Sequence, residues 1–371
     1  MEGLAVIPQA HGFWRGRRVF LTGHTGFKGA WLSLMLRRLG AEVTGYSLPP
    51  HTTPSLFELA GVADGMASII GDILDASSLA GAIADCQPEV VLHLAAQPIV
   101  RLAYTDPAGT YATNVMGTLN LLEGTRRVPS VRSVVVVTTD KCYLNRGWVW
   151  GYRENDPLGG NDLYSSSKAC TEILTASFRH SFFPPERHAQ HGVGIATARA
   201  GNVIGGGDWA PDRLVPDAIR AFTRGDALRL RYPGAIRPWQ HVLEPLEGYL
   251  RLAMHLWQDG ATHADAWNFA PLPSGERPVG WMADRLAALW GDGRVEVEQA
   301  DHPHEDTVLR LDATKARVSL GWEPLFDLNE TLEQTVAWYR AQADGADAGT
   351  LTRDQIDAYL VRGAAKAAVF L

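Results

Sequence analysis

The feature that most constrains this chain is a glycine triplet, Gly23-x-x-Gly26-x-x-Gly29. It directly follows the apolar run Arg18-Val19-Phe20-Leu21-Thr22 and directly precedes a stretch of helical periodicity. A short strand that turns on glycine into a helix is the opening unit of a parallel sheet, and the missing side chains let backbone amides at the helix start approach a pyrophosphate. The spacing alone also suits a plain tight turn; its place between strand and helix favours a dinucleotide. Further apolar runs at 43–46, 68–70, 90–94, 134–137 and 194–198 alternate with helically patterned segments. That alternation predicts an α/β fold, a Rossmann-type doubly wound parallel sheet. Residues 31–39 read as a helix ending at Gly40, Pro107 opens a long helix through residue 125, and 164–182, 241–257 and 328–341 read as further helices.

A chain of 371 residues exceeds the usual single core, so two domains sharing a cleft are expected. Past Arg199 the texture changes to Gly205-Gly206-Gly207 and scattered prolines. Residues 13–200 plus about 236–258 are assigned to the dinucleotide-binding domain, with a smaller, mostly C-terminal α+β substrate domain over about 201–235 and 259–342. Residues 343–371 form a small-residue-rich extension expected to be partly mobile. With 46% hydrophobic and 20% charged residues the composition is that of a soluble globular enzyme. A net charge of −7 argues against a nucleic-acid or membrane-surface binder. Cys86, Cys142 and Cys170 lack a CxxC spacing, which fits neither a disulfide framework nor a zinc site and suits a reducing cytoplasm. No export signal or membrane span is read in the sequence.

Thr139-Asp140-Lys141 ends the apolar run 134–137, and Tyr164-Ser165-Ser166-Ser167-Lys168 follows. Four residues apart on a helix, Tyr164 and Lys168 share a face. A nearby ammonium would stabilise phenolate, lower the tyrosine pKa and make Tyr164 a general base for alcohol oxidation. About 20 residues past the glycines, where an acid commonly meets the adenosine ribose of NAD, stands Gly45-Tyr46-Ser47. NAD and NADP therefore both stay open, and Lys28 and Arg37 read equally as phosphate partners or solvated helix residues. Asp72, in Gly71-Asp72-Ile73, suits adenine. Cys142 reads as packing, Trp148 and Trp150 as core or interface aromatics, and His302, His304 and Glu305 as loop residues, with no metal expected.

Several longer motifs sharpen this reading: Thr22-Gly23-His24-Thr25-Gly26-Phe27-Lys28-Gly29, Asp140-Lys141-Cys142-Tyr143, Trp148-Val149-Trp150-Gly151-Tyr152-Arg153-Glu154, the stretch from Arg199 to Trp209, Arg237-Pro238-Trp239-Gln240-His241-Val242, and His302-Pro303-His304-Glu305. Through them the chain, from Phe13 to about Arg340, resembles the extended short-chain dehydrogenase/reductases and, within them, the nucleotide-sugar 4,6-dehydratases that act on CDP-sugars. The resemblance implies a redox-neutral dehydration in which NAD takes hydride from sugar carbon 4, water leaves across carbons 5 and 6, and hydride returns at carbon 6. It implies that Gly23, His24, Thr25, Gly26, Phe27, Gly29, Asp72, Ile73, Leu94, Ala95, Ala96, Tyr164 and Lys168 bind the cofactor. It places Gln97, Asn202, Arg213, Arg237 and Asn268 on the CDP-sugar; paired guanidinium forks suit a diphosphate.

In the same resemblance Tyr164 takes the carbon 4 hydroxyl proton, Thr139 hydrogen-bonds that hydroxyl, Lys168 holds the cofactor ribose, and Asp140 is the acid for the leaving hydroxyl. Many relatives carry Glu after that Asp as the carbon 5 base, whereas this chain has Lys141, which must be neutral to do the task. Lys141 either is that base or simply pairs with Asp140. Relatives using dTDP-sugars carry an Arg near Asp306-Thr307-Val308; none stands there, and Arg310 stays unassigned. A sugar-nucleotide epimerase on the same fold is the rival, disfavoured by Asp140-Lys141. Helices 107–125 and 164–182 are expected to pair between subunits in a homodimer or homotetramer.

Overall fold

The structure, a computed structural model, describes residues 12–298 and 308–369; His302, His304, Glu305, Asp306 and Thr307 lie outside the described residues. Its centre is a seven-stranded sheet made of β1 (Arg18–Thr22), β2 (Glu42–Ser47), β3 (Ala67–Ile70), β4 (Val90–His93), β5 (Ser133–Val137), β6 (Gly194–Ala200) and β10 (Ala266–Phe269). The order is β10-β6-β5-β4-β1-β2-β3, and every neighbouring pair is parallel. All five residues of β5 are buried, as expected for a strand covered by helices on both faces. The order reverses at β1, which lies between β2 and β4. Such a reversal opens a crevice at the carboxyl ends of these strands.

Three expectations change. β10 falls in the stretch assigned to the substrate domain, yet it pairs with β6 and completes the main sheet. Its four residues, Ala266-Trp267-Asn268-Phe269, are too short and too mixed in polarity to announce a strand. The helix expected over 107–125 is an α-helix at Pro107–Tyr111, a π-helical turn at Ala112–Met116 and an α-helix at Gly117–Arg126. The extension beyond residue 343 is an ordered helix, Ala348–Val369, with Thr352, Ile356 and Tyr359 buried. Its small residues permit close docking, and the larger ones anchor it. Thr352 Oγ1 accepts a 3.1 Å hydrogen bond from Trp338 of the helix Leu328–Ala343. The Trp338 ring in turn lies where any side chain at Gly206 would strike it, so the C-terminal helix backs the glycine loop that borders the crevice.

The other strands form two small sheets. β7 (Asn202–Ile204), β9 (Ile236–His241) and β11 (Glu276–Pro278) pair in the order β11-β9-β7, and β8 (Ala227–Leu230) pairs in parallel with β12 (Arg294–Val297). The helices that matter for the site are α1 (Phe27–Arg38), α2 (Leu163–Phe182) and α3 (Leu243–Gln258).

Candidate active site

At the end of β1, Gly23 has φ 78°, and a Cβ there would lie 2.7 Å from the Ala95 amide nitrogen. Only glycine fits both the backbone conformation and the approach of β4. α1 starts at Gly26 without a side-chain cap, which leaves its first amides available to an anion. Thr22 Oγ1 ties the two strand ends together: it accepts from the Leu94 and Ala95 amides, both at 3.2 Å, and lies 2.7 Å from His93 Nδ1. Thr25 Oγ1 donates to the Leu48 carbonyl at 2.8 Å. The His24 ring lies over Gly45, with Nε2 2.8 Å from Ser68 Oγ, and burial lowers its pKa to about 4. A neutral imidazole therefore stands above β2.

The two basic residues of α1 part company. Arg37 reaches Gly65, where its guanidinium blocks any added Cβ. Lys28 faces the catalytic end, where burial first, and then Arg213 and Lys168, lower its pKa to about 8. Asp72 Oδ1 accepts from the Leu74 amide at 2.9 Å, and buried Ile73 packs on Gly117. Leu94, Ala95 and Ala96 are half-buried past β4.

The π turn serves this loop. Asn114 Oδ1 accepts from the Gln97 amide at 2.8 Å, and its Nδ2 donates to the Gln97 carbonyl at 3.2 Å and to Ser167 Oγ at 2.8 Å. A π turn frees backbone groups from the helical ladder, and the Asn114 carbonyl accepts from the Thr118 and Thr171 hydroxyls at 2.7 and 2.9 Å. Gln97, expected on substrate, uses its own side chain locally: Nε2 donates to Thr110 Oγ1 at 2.8 Å and Oε1 accepts from the Ile99 amide at 2.6 Å.

Thr139, Asp140, Tyr164 and Lys168 come together. Thr139 caps a 3-10 turn at Asp140–Cys142 and donates to Asp140 Oδ1 at 3.0 Å, and it stands close enough to the Tyr164 phenol to oppose the rise of its pKa. Asp140 is 3% exposed, and its Oδ2 has no hydrogen-bond partner. Burial raises its pKa, opposed by Lys141, Thr139, Arg237 and Lys28. Lys168 Nζ donates to the Val137 carbonyl at 3.2 Å, and burial pulls its pKa down to about 8. Tyr164 departs from expectation. Burial pushes its pKa up to about 12, because desolvating a phenolate, with Asp140 and Asp162 adding to it, outweighs Thr139 and Arg213. Lys141 is half-buried beside Asp140, and Cys142 is fully buried, its thiol raised by desolvation.

Beneath this cluster lies a polar network that the sequence did not disclose. Glu172, the next α2 residue in the 164, 168 series, accepts from Thr138 Oγ1, from Thr197 Oγ1 at 2.6 Å and from Arg199 Nη2 at 2.9 Å. Arg199 Nη1 donates to Tyr143 Oη at 2.7 Å, and that hydroxyl donates to Asn268 Oδ1 at 2.7 Å. Asn268 was expected to contact substrate. It is fully buried, and its Nδ2 donates to the Tyr152 and Asp312 carbonyls at 2.9 and 3.1 Å, so its amide is already saturated by protein. The fourfold spacing of Tyr164, Lys168 and Glu172 was the available signal for this network. Of the remaining predicted contacts, Arg237 is buried near Asp140, and half-buried Arg213 pairs with Asp208 at 2.9 Å beside Tyr164. Asn202 is half-buried on β7. Arg310 pairs with Glu276 at 2.8 Å and donates to the Val149 carbonyl.

A glycine turn at a sheet reversal, with Tyr and Lys on one helix facing the end of β5, defines a short-chain dehydrogenase/reductase of the extended type. The chain belongs to the GDP-mannose 4,6 dehydratase family, whose model matches residues 20–335. It is 51% identical over 349 residues to the CDP-glucose 4,6-dehydratase of Salmonella typhimurium, covering 94% of this chain and 97% of that protein. It is 28% identical over 340 residues to a dTDP-glucose 4,6-dehydratase of Xanthomonas campestris, covering 86% of this chain and 92% of the relative. The fold is shared with dTDP-glucose 4,6-dehydratase from Bacillus anthracis in complex with NAD, at a TM-score of 0.73 and 22% identity over 89% of this chain and 98% of that one. It is shared equally with UDP-glucose 4-epimerase from Thermotoga maritima, at a TM-score of 0.72 and 21% identity over 88% and 99% of the two chains.

Proposed function

We propose that the protein is a hydro-lyase that converts CDP-glucose to CDP-4-keto-6-deoxyglucose with bound NAD, a step of deoxysugar biosynthesis. The observation that carries this reading is Asp140, a buried carboxyl with one unpartnered oxygen, hydrogen-bonded to Thr139 beside Tyr164, in a chain 51% identical to a CDP-glucose 4,6-dehydratase. The uncapped start of α1 and the bare Gly23 turn fit a pyrophosphate. Gly23, Gly26 and Gly29 would cradle it, with His24, Thr25 and Phe27 alongside, Asp72 and Ile73 toward adenine, and Leu94, Ala95 and Ala96 toward nicotinamide. His24 is neutral and Arg37 is turned toward Gly65, so neither offers a cation to a 2′-phosphate, which favours NAD over NADP. NAD supplies a two-electron acceptor that takes hydrogen from sugar carbon 4 and gives it back at carbon 6.

The side chains close the proton cycle. Tyr164, whose raised pKa keeps the phenol protonated at rest, hands its own proton on toward Asp140 as it takes the carbon 4 hydroxyl proton and the ketone forms, and Lys168 holds the nicotinamide ribose. Lys141 takes the carbon 5 proton while Asp140 gives its own to the carbon 6 hydroxyl, which leaves as water. The proton that leaves Tyr164 is the one Asp140 delivers, with the Thr139 hydroxyl as the nearest relay, and Lys141 returns its proton to carbon 5. Asn202, Arg213 and Arg237 are the proposed substrate contacts, while Gln97 and Asn268 position the loops that carry them.

Incubation with CDP-glucose, followed by mass spectrometry, tests the reaction. Loss of one water without net cofactor reduction is expected; an unchanged mass with altered stereochemistry would point to an epimerase instead. Lys141→Met is expected to abolish exchange of the carbon 5 proton with solvent, and normal exchange in that variant would remove Lys141 as the base. A homodimer is also proposed, because Met116, Ile173 and Phe182 leave large apolar side chains exposed on the π turn and α2. Light scattering at the measured concentration tests it. Among the described residues, no helix is long and apolar enough to cross a membrane.

A further inference from the structure

We infer that Glu172 is a positioning residue of the redox half-reaction: its buried carboxylate faces Lys168 one turn along α2 and holds there the ammonium that Tyr164 works beside. This rests on the roles proposed above for Tyr164 and Lys168. Tyr164, Lys168 and Glu172 follow one another at intervals of four, so one helix face carries base, cation and anion from the crevice inward. The Lys168 Nζ hydrogen bond goes to a neutral carbonyl, Val137 O, and among the described residues no acid lies within ion-pair distance of it. A buried lysine in that position tends to shed its proton. Glu172 is the foremost group opposing that tendency; the Cys142 thiol of the 3-10 turn, itself raised by burial, stays uncharged and offers no counter-ion. From the other elements packed around Lys168, Lys28 of α1 and His93 of β4 feel its charge, which works with burial to lower both.

The carboxylate is itself kept ionised. Arg199 of β6 pairs with it at 2.9 Å, and the hydroxyls of Thr138 and Thr197 complete its shell. Burial works to raise its pKa, but these partners bring it below the ordinary glutamate value. The hydrogen bond from Thr138 also fixes the backbone between Val137, whose carbonyl receives Lys168, and Thr139, whose hydroxyl donates to Asp140. Glu172 thus sets both the charge of Lys168 and the strand end on which the catalytic groups meet, without touching substrate or cofactor.

The chain's lysines are Lys28, Lys141, Lys168, Lys315 and Lys366, few enough for NMR titration of protein labelled with 13C at the lysine ε carbon, with Lys168→Met assigning the signal. Glu172→Gln keeps the shape but removes the charge and is expected to lower the Lys168 midpoint by about one pH unit or more, a tenfold change in proton affinity. Glu172→Asp restores most of the shift, and Arg199→Gln, which leaves the carboxylate uncompensated, moves the midpoint upward. An unchanged midpoint in Glu172→Gln that melts and gives circular dichroism like the parent overturns the inference, as do equal shifts in the Gln and Asp variants. Should Glu172→Gln not fold, the upward shift in Arg199→Gln carries the test, and its absence overturns the inference equally. In turnover, the basic limb of the kcat profile moves to lower pH in Glu172→Gln while KM changes by less than about twofold. The titration needs no substrate, so a folded parent that leaves CDP-glucose unchanged overturns the proposed function, whereas an unmoved Lys168 signal overturns this inference alone.

Discussion

Glu172 beneath the catalytic cluster and Glu244 in the first turn of α3 are both almost wholly buried, at 3% and 1% exposure, yet the protein handles them in opposite ways. Glu172 has a guanidinium at 2.9 Å and stays below the ordinary glutamate range. Glu244 has only neutral donors: the Leu325 amide at 3.0 Å, the Phe326 amide at 2.8 Å and Tyr359 Oη of the C-terminal helix at 2.7 Å. Burial pushes its pKa up to about 7 against those hydrogen bonds. Hydrogen bonds alone offset part of the desolvation of a carboxylate, and a paired cation offsets the rest. The first arrangement suits a group that must keep its charge near the chemistry. The second suits a protonated link between a helix start and a docked tail.

The largest effect expected from breaking this contrast is at the charged pair. Glu172→Leu leaves Arg199 buried without its anion and is expected to destabilise the fold by about 3–5 kcal/mol, read from denaturant unfolding. Glu172→Gln is expected to cost less, since the amide oxygen still accepts a hydrogen bond.

Next comes the pH dependence. Between the unfolded value of 4.5 and the folded value of about 7, native Glu244 holds a proton that the unfolded chain has lost. Its contribution is therefore fully present at acid pH and is lost as pH rises through about 7, amounting to about 3 kcal/mol across the window. Glu172, with a lowered folded pKa, runs the other way: its stability is present above the unfolded value and is lost as pH falls through the folded one. Glu244→Gln is expected to flatten the first slope in unfolding measured from about pH 5 to about pH 8; an unchanged slope would mean that Glu244 is not its source. The smallest effect is expected from Tyr359→Phe. Losing one donor should cost about 1 kcal/mol and raise the Glu244 titration further, visible as a steeper fall in melting temperature toward neutral pH.

Much of the architecture was legible because its signals are local. Runs of Val, Ile and Leu at strand length, each followed by helical periodicity, marked six of the seven central strands. The glycine triplet located the turn, since only a strand-to-helix passage needs bare backbone there. What escaped were features with no period of their own. β10 is four residues of mixed polarity, the π turn around Asn114 has the composition of any helix, and the tail of small residues gives no amphipathic stripe until Trp338 and Glu244 are in place to receive it.

The site divides along the same line. Thr139, Asp140, Tyr164 and Lys168 were readable as residue types at motif spacing, and the structure brings them together. Their electrostatics were not readable, and the expected depression of Tyr164 reversed into a rise because burial is a property of the surroundings. Asn268 and Gln97 looked like substrate contacts by position, but their side-chain amides are engaged by backbone and side chains brought from elsewhere. By itself, the sequence determined the parallel sheet, the glycine turn and the residue types that gather at the end of β5, all written in contiguous stretches. Tertiary structure alone decided which of them are charged, which carboxyl keeps its proton, and that Arg199 stands against Glu172. The helical spacing placed Glu172 beside Lys168, but the charges depend on desolvation and on partners such as Thr138, Thr197 and Arg199 that other elements bring to Glu172, and no local pattern encodes those.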